Sequence, residues 1–195
     1  IEGSGKSSNL ECISNILEEY SIEFIVTKEP GGGPLGEDLR SILLNKNTVI
    51  SSEAELLLMM ADRKDHIDNL ITPNLQKGIW VLSDRYLDST YAYQGGGRKI
   101  DRSLIDDLAV FLDLPKPDLT LLFDLSPEIA LKRAIERSSL DRFESEPIDF
   151  HSRIRETYLE IAGFESGRFK IIDSSLEFEA VRKQVSTIIY DFINV

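Results

Sequence analysis

Apolar residues recur along this chain in two rhythms, helical and extended, that alternate. From Lys6 to about Tyr20 they fall at Leu10, Ile13, Ile16 and Leu17, the spacing of one helical face. Ile22–Lys28 then reads as a strand rich in Ile, Phe and Val. Glu29-Pro30-Gly31-Gly32-Gly33-Pro34 must be a loop, and a short helix carrying Leu39, Ile42, Leu43 and Leu44 follows. Ser51 or Ser52 caps the next helix, which has Glu55 in its first turn and runs to about Gly78 with a kink or break at Pro73. Strands are expected at Ile79–Asp84, Leu119–Leu125 and Phe169–Asp173. Leu87–Lys99 reads as a loop or short helix closed by three glycines. Helices are expected from Asp101 to Asp113, from Ser126-Pro127-Glu128 to about Ser138, over Ile148–Ala162 and over Glu177–Ile193.

The strands are apolar throughout rather than alternating, which is the pattern of a parallel sheet covered on both faces. The expected class is therefore α/β, a single domain over residues 1–195 with a lid at about 137–147. Active sites of such folds lie at the carboxyl ends of the strands. That directs attention to Glu29, Asp84, Arg85 and Asp124. One helix breaks the usual amphipathic rule, because Ala54 to Ala61 is apolar nearly all round. One of its faces is expected on the sheet and another, around Leu56–Met60, on a second subunit.

Composition narrows the partners. A net charge of −12 argues against nucleic acid, which needs basic surface. No apolar run approaches a membrane span. The lone Cys12 falls on the core-facing side of the first helix and fits a buried thiol in a reducing cytoplasm. His66 and His151 have no neighbouring ligand pattern and read as exposed helix residues rather than metal ligands.

Ile1-Glu2-Gly3-Ser4-Gly5-Lys6-Ser7-Ser8 reads as the tail of a phosphate-binding loop, G-x-x-x-x-G-K-[ST]. The first glycine of that pattern falls one residue before Ile1, and the strand that should feed it is expected before that. Gly3 and Gly5 let backbone N–H groups point at phosphate oxygens, and the following helix adds the positive end of its dipole. Lys6 can reach the β- and γ-phosphates, and the Ser7 hydroxyl can ligate Mg²⁺. The plain alternative is a glycine-rich turn before a helix.

Asp84-Arg85-Tyr86 ends a hydrophobic strand, where a second Mg²⁺ anchor and a phosphate fork belong. A strand-capping ion pair would look the same. The glycines at 31–33 allow close backbone approach to a ligand, or make a plain flexible loop, and Arg40 lies one helical turn beyond Glu37. Ser89–Arg98 mixes aromatic rings, hydroxyls, an amide and a cation, as base and sugar recognition needs, though composition alone fits an ordinary turn equally. Arg133, Arg137 and Arg142 flank a polar stretch that reads as a mobile lid able to neutralise transferring phosphates, or as a solvated helix end.

Taken together these motifs resemble the thymidylate kinase family of P-loop nucleoside monophosphate kinases. The likeness rests on E-G-S-G-K-S at 2–7, T-K-E-P-G-G at 27–32, L-R at 39–40, A-D-R at 61–63 and S-D-R-Y at 83–86. It continues through S-T-x-A-Y-Q-G-G-G-R at 89–98, P-D-L-T at 117–120, L-D-R-F-E at 140–144 and I-D-S-S at 172–175. The resemblance implies a three-layer sandwich of P-loop NTPase type and transfer of the γ-phosphoryl group of ATP to dTMP, with Mg²⁺. It implies an ATP site at Glu2, Gly3, Ser4, Gly5, Lys6, Ser7, Ser8 and Arg133, with Ser7 and Asp84 at the metal. It implies that Arg40 and Arg85 hold the dTMP phosphate, that Arg63 donates to thymine O4, that Thr90 meets the base edge and that Tyr93 packs on the deoxyribose. Glu29 and Gln94 complete the substrate site, and Met59 stands where the family often has a phenylalanine that stacks on thymine. Glu2 marks the type with its catalytic arginine in the lid, so Arg142, then Arg137, join Lys6 and Arg85 as catalytic candidates. The family also implies a cytoplasmic homodimer joined through helix 53–70. The rival readings are a deoxynucleoside kinase, which would not need both Arg40 and Arg85 for an acceptor phosphate, and a nucleotide-binding module without turnover.

Overall fold

A computed structural model describes residues 6–137 and 140–194. Its order is α1 (Lys6–Glu19), β1 (Phe24–Lys28), α2 (Gly36–Leu44), α3 (Ser52–His66), α4 (Thr72–Leu75) and β2 (Trp80–Asp84). There follow α5 (Leu87–Thr90), α6 (Arg102–Phe111), β3 (Thr120–Asp124), α7 (Pro127–Arg137), α8 (Ile148–Phe164), β4 (Phe169–Asp173) and α9 (Phe178–Ile193). All four strands, and the helices between them, fall where the apolar rhythm predicts.

The strands pair in parallel, Phe24–Lys28 against Trp80–Asp84 and Thr120–Asp124 against Phe169–Asp173. Side chains alternate across each strand. Phe123 and Ile172 join Cys12, Ile16 and Leu17 of α1 and Val181, Val185 and Ile189 of α9 in one core cluster. Leu122 and Phe169 join Ile154, Tyr158 and Ile161 of α8 in another. The β3–β4 pair thus carries apolar helix faces on both sides, the reason its residues are apolar without alternation.

The expected single sheet is divided. Among the described residues there are two two-stranded parallel sheets, and β2 and β3 face one another across a cleft of about 640 Å³. Trp80, Leu82, Leu121 and Phe123 line it from the strands, and Leu10, Ile13 and Leu17 from α1.

The long helix from Ser51 departs from expectation at a definite place. Ser51 caps it, accepting from the Ala54 N–H at 3.2 Å. α3 ends at His66, a π-helical turn occupies Ile67–Ile71, and α4 resumes with Pro73 in its first turn. Proline has no N–H to give the preceding turn, so the ladder changes register ahead of it. Leu56 and Met60 are buried within the chain against Ile105 of α6. The expectation that both lie between subunits is therefore corrected: the outward apolar residues are Leu57, 57% exposed, and Ala61. No described helix is long and apolar enough to cross a membrane.

Candidate active site

Glu29 stands just beyond the end of β1, and its N–H extends the β1–β2 ladder by donating to the Asp84 carbonyl at 3.0 Å. Its side chain turns inward and is 2% exposed. Arg63, on α3, meets it with Nε at 2.8 Å and Nη2 at 2.7 Å, both to Oε2. His66, one turn further along α3, places Nδ1 2.9 Å from Oε1. A carboxylate only accepts, so Nδ1 carries the proton, and Nε2 lies 2.8 Å from the Thr27 hydroxyl. His66 is fully buried and His151 is buried too, which corrects the expectation that both are exposed. The helix face that carries Arg63 also carries His66, and it packs on the strand tip rather than facing water.

The glycine loop after Glu29 lies against this same face. The peptide bond Glu29–Pro30 is cis. A Cβ on Gly32 would stand 2.3 Å from His66 Nε2, so only glycine fits there. The close approach foreseen for these glycines is therefore to α3. Asp62 accepts from the Gly31 N–H at 3.0 Å and holds the loop from below. Burial raises the Asp62 carboxyl from 3.8 to about 6, opposed by that backbone hydrogen bond; Glu29 pushes it further up, while Arg63 and His66 pull it down.

Arg63 also donates through Nη1 to the Thr90 hydroxyl at 2.8 Å. Glu29 and Thr90 thus occupy three of its five N–H groups, and the solvent pairing with Asp62 or Asp65 that a helix arginine often makes does not occur. Thr90 ends α5, which runs on into a π-helical segment over Tyr91–Gly97. The block that composition could not separate from a turn is therefore helical. A Cβ on Gly96 would meet the Thr157 hydroxyl at 2.1 Å, so glycine here lets the segment close onto α8.

A cavity of about 420 Å³, within the range of small-molecule sites, collects most of the residues expected at the substrate. Glu29, Arg40, Met59, Arg63, Asp84, Arg85, Thr90, Tyr93 and Gln94 all line it. Arg85 has φ +76, a left-handed backbone that L-residues rarely adopt. Its guanidinium lies over the Tyr93 ring, 4.8 Å from the centroid. Arg40 donates from Nη1 to the Pro30 carbonyl at 2.7 Å. Asp84 Oδ1 and the Tyr86 hydroxyl are buried with no hydrogen-bond partner among the described residues. Burial, with Glu29 next in weight, raises the Tyr86 phenol above its ordinary value, so it stays a neutral donor.

Lys6 opens α1 and lines the cleft between the sheets together with Asp84 and Arg85. Glu2, Gly3, Ser4 and Gly5, and the side chains of Ser7 and Arg137, lie outside the described residues. Ser8 is exposed in the first turn of α1. Arg133 is exposed, and donates to the Ser174 carbonyl at 3.2 Å. Arg142 does not line the 420 Å³ cavity. Its Nη1 donates to Glu55 Oε2 and its Nε to the Leu43 carbonyl, both at 2.7 Å.

Sequence reasoning passed over Glu55, Asp62 and His66 as site residues. A signal was present. Positions 55, 59, 62, 63 and 66 share one helical face, and Met59 and Arg63 on that face are residues that the family resemblance places at the substrate.

A helix led by Lys6, beside a parallel strand that ends in Asp84 and is followed by Arg85, is the arrangement a P-loop NTPase uses to hold phosphate. The family model described as thymidylate kinase matches residues 1–185. The chain belongs to the thymidylate kinase family. A thymidylate kinase of Oleidesulfovibrio alaskensis is 45% identical over 204 residues, covering 100% of this chain and 96% of its own. Those of Carboxydothermus hydrogenoformans and Hahella chejuensis are 44% and 43% identical, covering 93% and 95% of this chain and 89% and 90% of theirs.

Proposed function

We propose that the chain performs the reaction its family is named for, moving the γ-phosphoryl group of ATP to dTMP to give dTDP and ADP. One observation carries this reading. The same cavity has two arginines, Arg40 and Arg85, and an inner end where Arg63, Thr90 and Gln94 are buried and aimed. An acceptor that brings both its own phosphate and a pyrimidine ring uses both ends. Thymidine would leave the arginines without an anion.

Catalysis rests on positioning and charge neutralisation, with no covalent intermediate. Arg85 and Arg40 hold the acceptor phosphate, and Arg85 extends to the transferring group as charge develops there. Lys6, at the helix start, takes the β- and γ-phosphate oxygens, with Arg133 on the nucleotide side. Met59 and Tyr93 bound the base and sugar, and Glu29 fixes Arg63. The residues present suit Mg²⁺: Asp84 Oδ1 is a buried oxygen acceptor without a partner among the described residues, and Ser7 would add a hydroxyl, the hard donors this ion takes. Bound there, Mg²⁺ would neutralise charge on the β- and γ-phosphates. The lid supplies a further arginine; of the two candidates, Arg142 has its guanidinium bonded to Glu55 and Leu43, and the Arg137 side chain lies outside the described residues.

The apolar cleft between β2 and β3 supports a three-layer sandwich with one continuous sheet. A homodimer is supported by the exposed Leu57 on α3. Sedimentation should give a dimer for the protein and monomers for Leu57→Asp; a monomeric parent would contradict it. The reaction itself is tested by ADP release with dTMP, with thymidine and with no acceptor. Turnover with dTMP alone is expected. Equal turnover with thymidine would favour a deoxynucleoside kinase, and none with any acceptor a binding module.

A further inference from the structure

Glu55 has no part in the reading above, yet it is 1% exposed and is the most heavily shared carboxylate at the site. Gln94 Nε2 donates to its Oε1 at 2.8 Å. Arg98 reaches it with Nε at 3.1 Å and Nη2 at 3.1 Å, both to Oε2. Arg142 adds Nη1 at 2.7 Å. Two separate pieces of the chain therefore meet at one carboxylate on α3: residues 91–98, through Gln94 and Arg98, and the lid's return limb at 140–147.

That limb is docked by more than Glu55. The Arg142 N–H donates to the Leu44 carbonyl at 3.2 Å, and its guanidinium to the Leu43 carbonyl. Arg98 Nη1 donates to Glu146 at 2.5 Å. Phe143 is buried edge-on to Tyr93, with ring centroids 5.6 Å apart. The consequence is geometric: Asp141, Phe143 and Glu144 form a wall of the 420 Å³ cavity, and Gln94 forms another.

We propose that Glu55 is a positioning residue that latches the lid's return limb to the acceptor pocket, with Arg142 as the partner it holds. The pocket wall is then set before substrate arrives. This rests on the cavity being the dTMP site. A buried carboxylate that accepts from two guanidinium groups and an amide cannot be replaced without cost, because its donors would be left unpaired. Glutamine at this position would set an N–H₂ against those donors.

The test uses Glu55→Gln and Arg142→Ala in the full chain, read by hydrogen exchange without ligands and by kinetics. Exchange of the 140–147 amides should quicken in both variants while β3 and β4 stay protected. The KM for dTMP should rise about tenfold or more in both, the order of one buried donor left unpaired, with kcat within about threefold and the KM for ATP unmoved. The two substitutions should act on one link, so the double variant should be no worse than the poorer single one. If Glu55→Gln does not fold, Arg142→Ala and Arg142→Gln carry both readouts. The latch is wrong if exchange over 140–147 is unchanged. It is also wrong if Arg142→Ala lowers kcat by about 10³-fold at constant KM, the signature of an arginine acting on the transition state. Exchange that quickens in a protein with no dTMP turnover would overturn the functional reading and leave the latch standing.

Discussion

On the proposed reading of the 420 Å³ cavity as the acceptor pocket, its two ends are built in opposite ways. At the base end Glu29, Asp62, Arg63 and His66 are all buried and bonded to one another or to the backbone. At the phosphate end Asp84 Oδ1 is buried without a partner among the described residues, and Arg85 sits on a strained backbone. A base is neutral and recognised by hydrogen-bond pattern, so the groups that read it must be aimed beforehand and have nothing left to rearrange. Phosphates and their metal ion bring charge with them, so an acid that meets them can be held short of partners until then. The base end should therefore govern selectivity and the phosphate end rate.

Lys6→Met is the hardest blow to the phosphate end. It removes a charge from the transition state and touches neither core cluster. Activity should fall by roughly 10³-fold or more, with the folding transition close to the parent's. A folded Lys6→Met protein with near-normal turnover would show that this end does not set the rate.

A smaller effect sharpens the base end. The carboxyl of Asp62 is raised to about 6, so its ionised form is disfavoured in the folded protein. Between the ordinary value of 3.8 and about 6 the folded state holds more protons than the unfolded one. Stability from this group is thus fully present in acid and is lost as the pH rises through that window. The whole loss amounts to at most about 3 kcal/mol. Asp62→Asn keeps an acceptor for the Gly31 N–H and has no proton to lose. Its melting temperature should gain on the parent's as the pH is raised from about 4 to about 7. A gap that stays constant over this range would mean that Asp62 carries no such penalty.

The elements were legible from apolar spacing because the strands are short apolar runs between turn residues and most helices show one core side. The separation of the described strands into two pairs was not, because periodicity says where strands are and nothing about which edges meet. The residues that line the 420 Å³ cavity were legible as motifs. What was hidden was their support. Glu55 looked like an ordinary first-turn acid and His66 an ordinary exposed residue, because a charged side chain buried with its partner carries the same letter as one in water. Only the third dimension brings Arg98 and Arg142 to Glu55 from positions 43 and 87 residues away. Arg142 shows the same limit from the other side: its place in the lid suggests a role at the phosphates, and its bonds hold it elsewhere.

The division of labour is tested most directly by kcat/KM for dTMP and dCMP in the parent, Arg63→Ala and Arg85→Lys. A guanidinium has only donors, so it suits thymine O4 and opposes the cytosine amino group. That mismatch is worth roughly 1–3 kcal/mol, or about ten- to a hundredfold in favour of dTMP. Arg63→Ala should collapse this preference, and because the ratio compares two substrates of one preparation, any loss of folded protein cancels. Arg85→Lys should lower both substrates together and leave the preference intact. An unchanged ratio in Arg63→Ala, or a ratio that moves as far in Arg85→Lys, would contradict a pocket whose base end selects and whose phosphate end transfers.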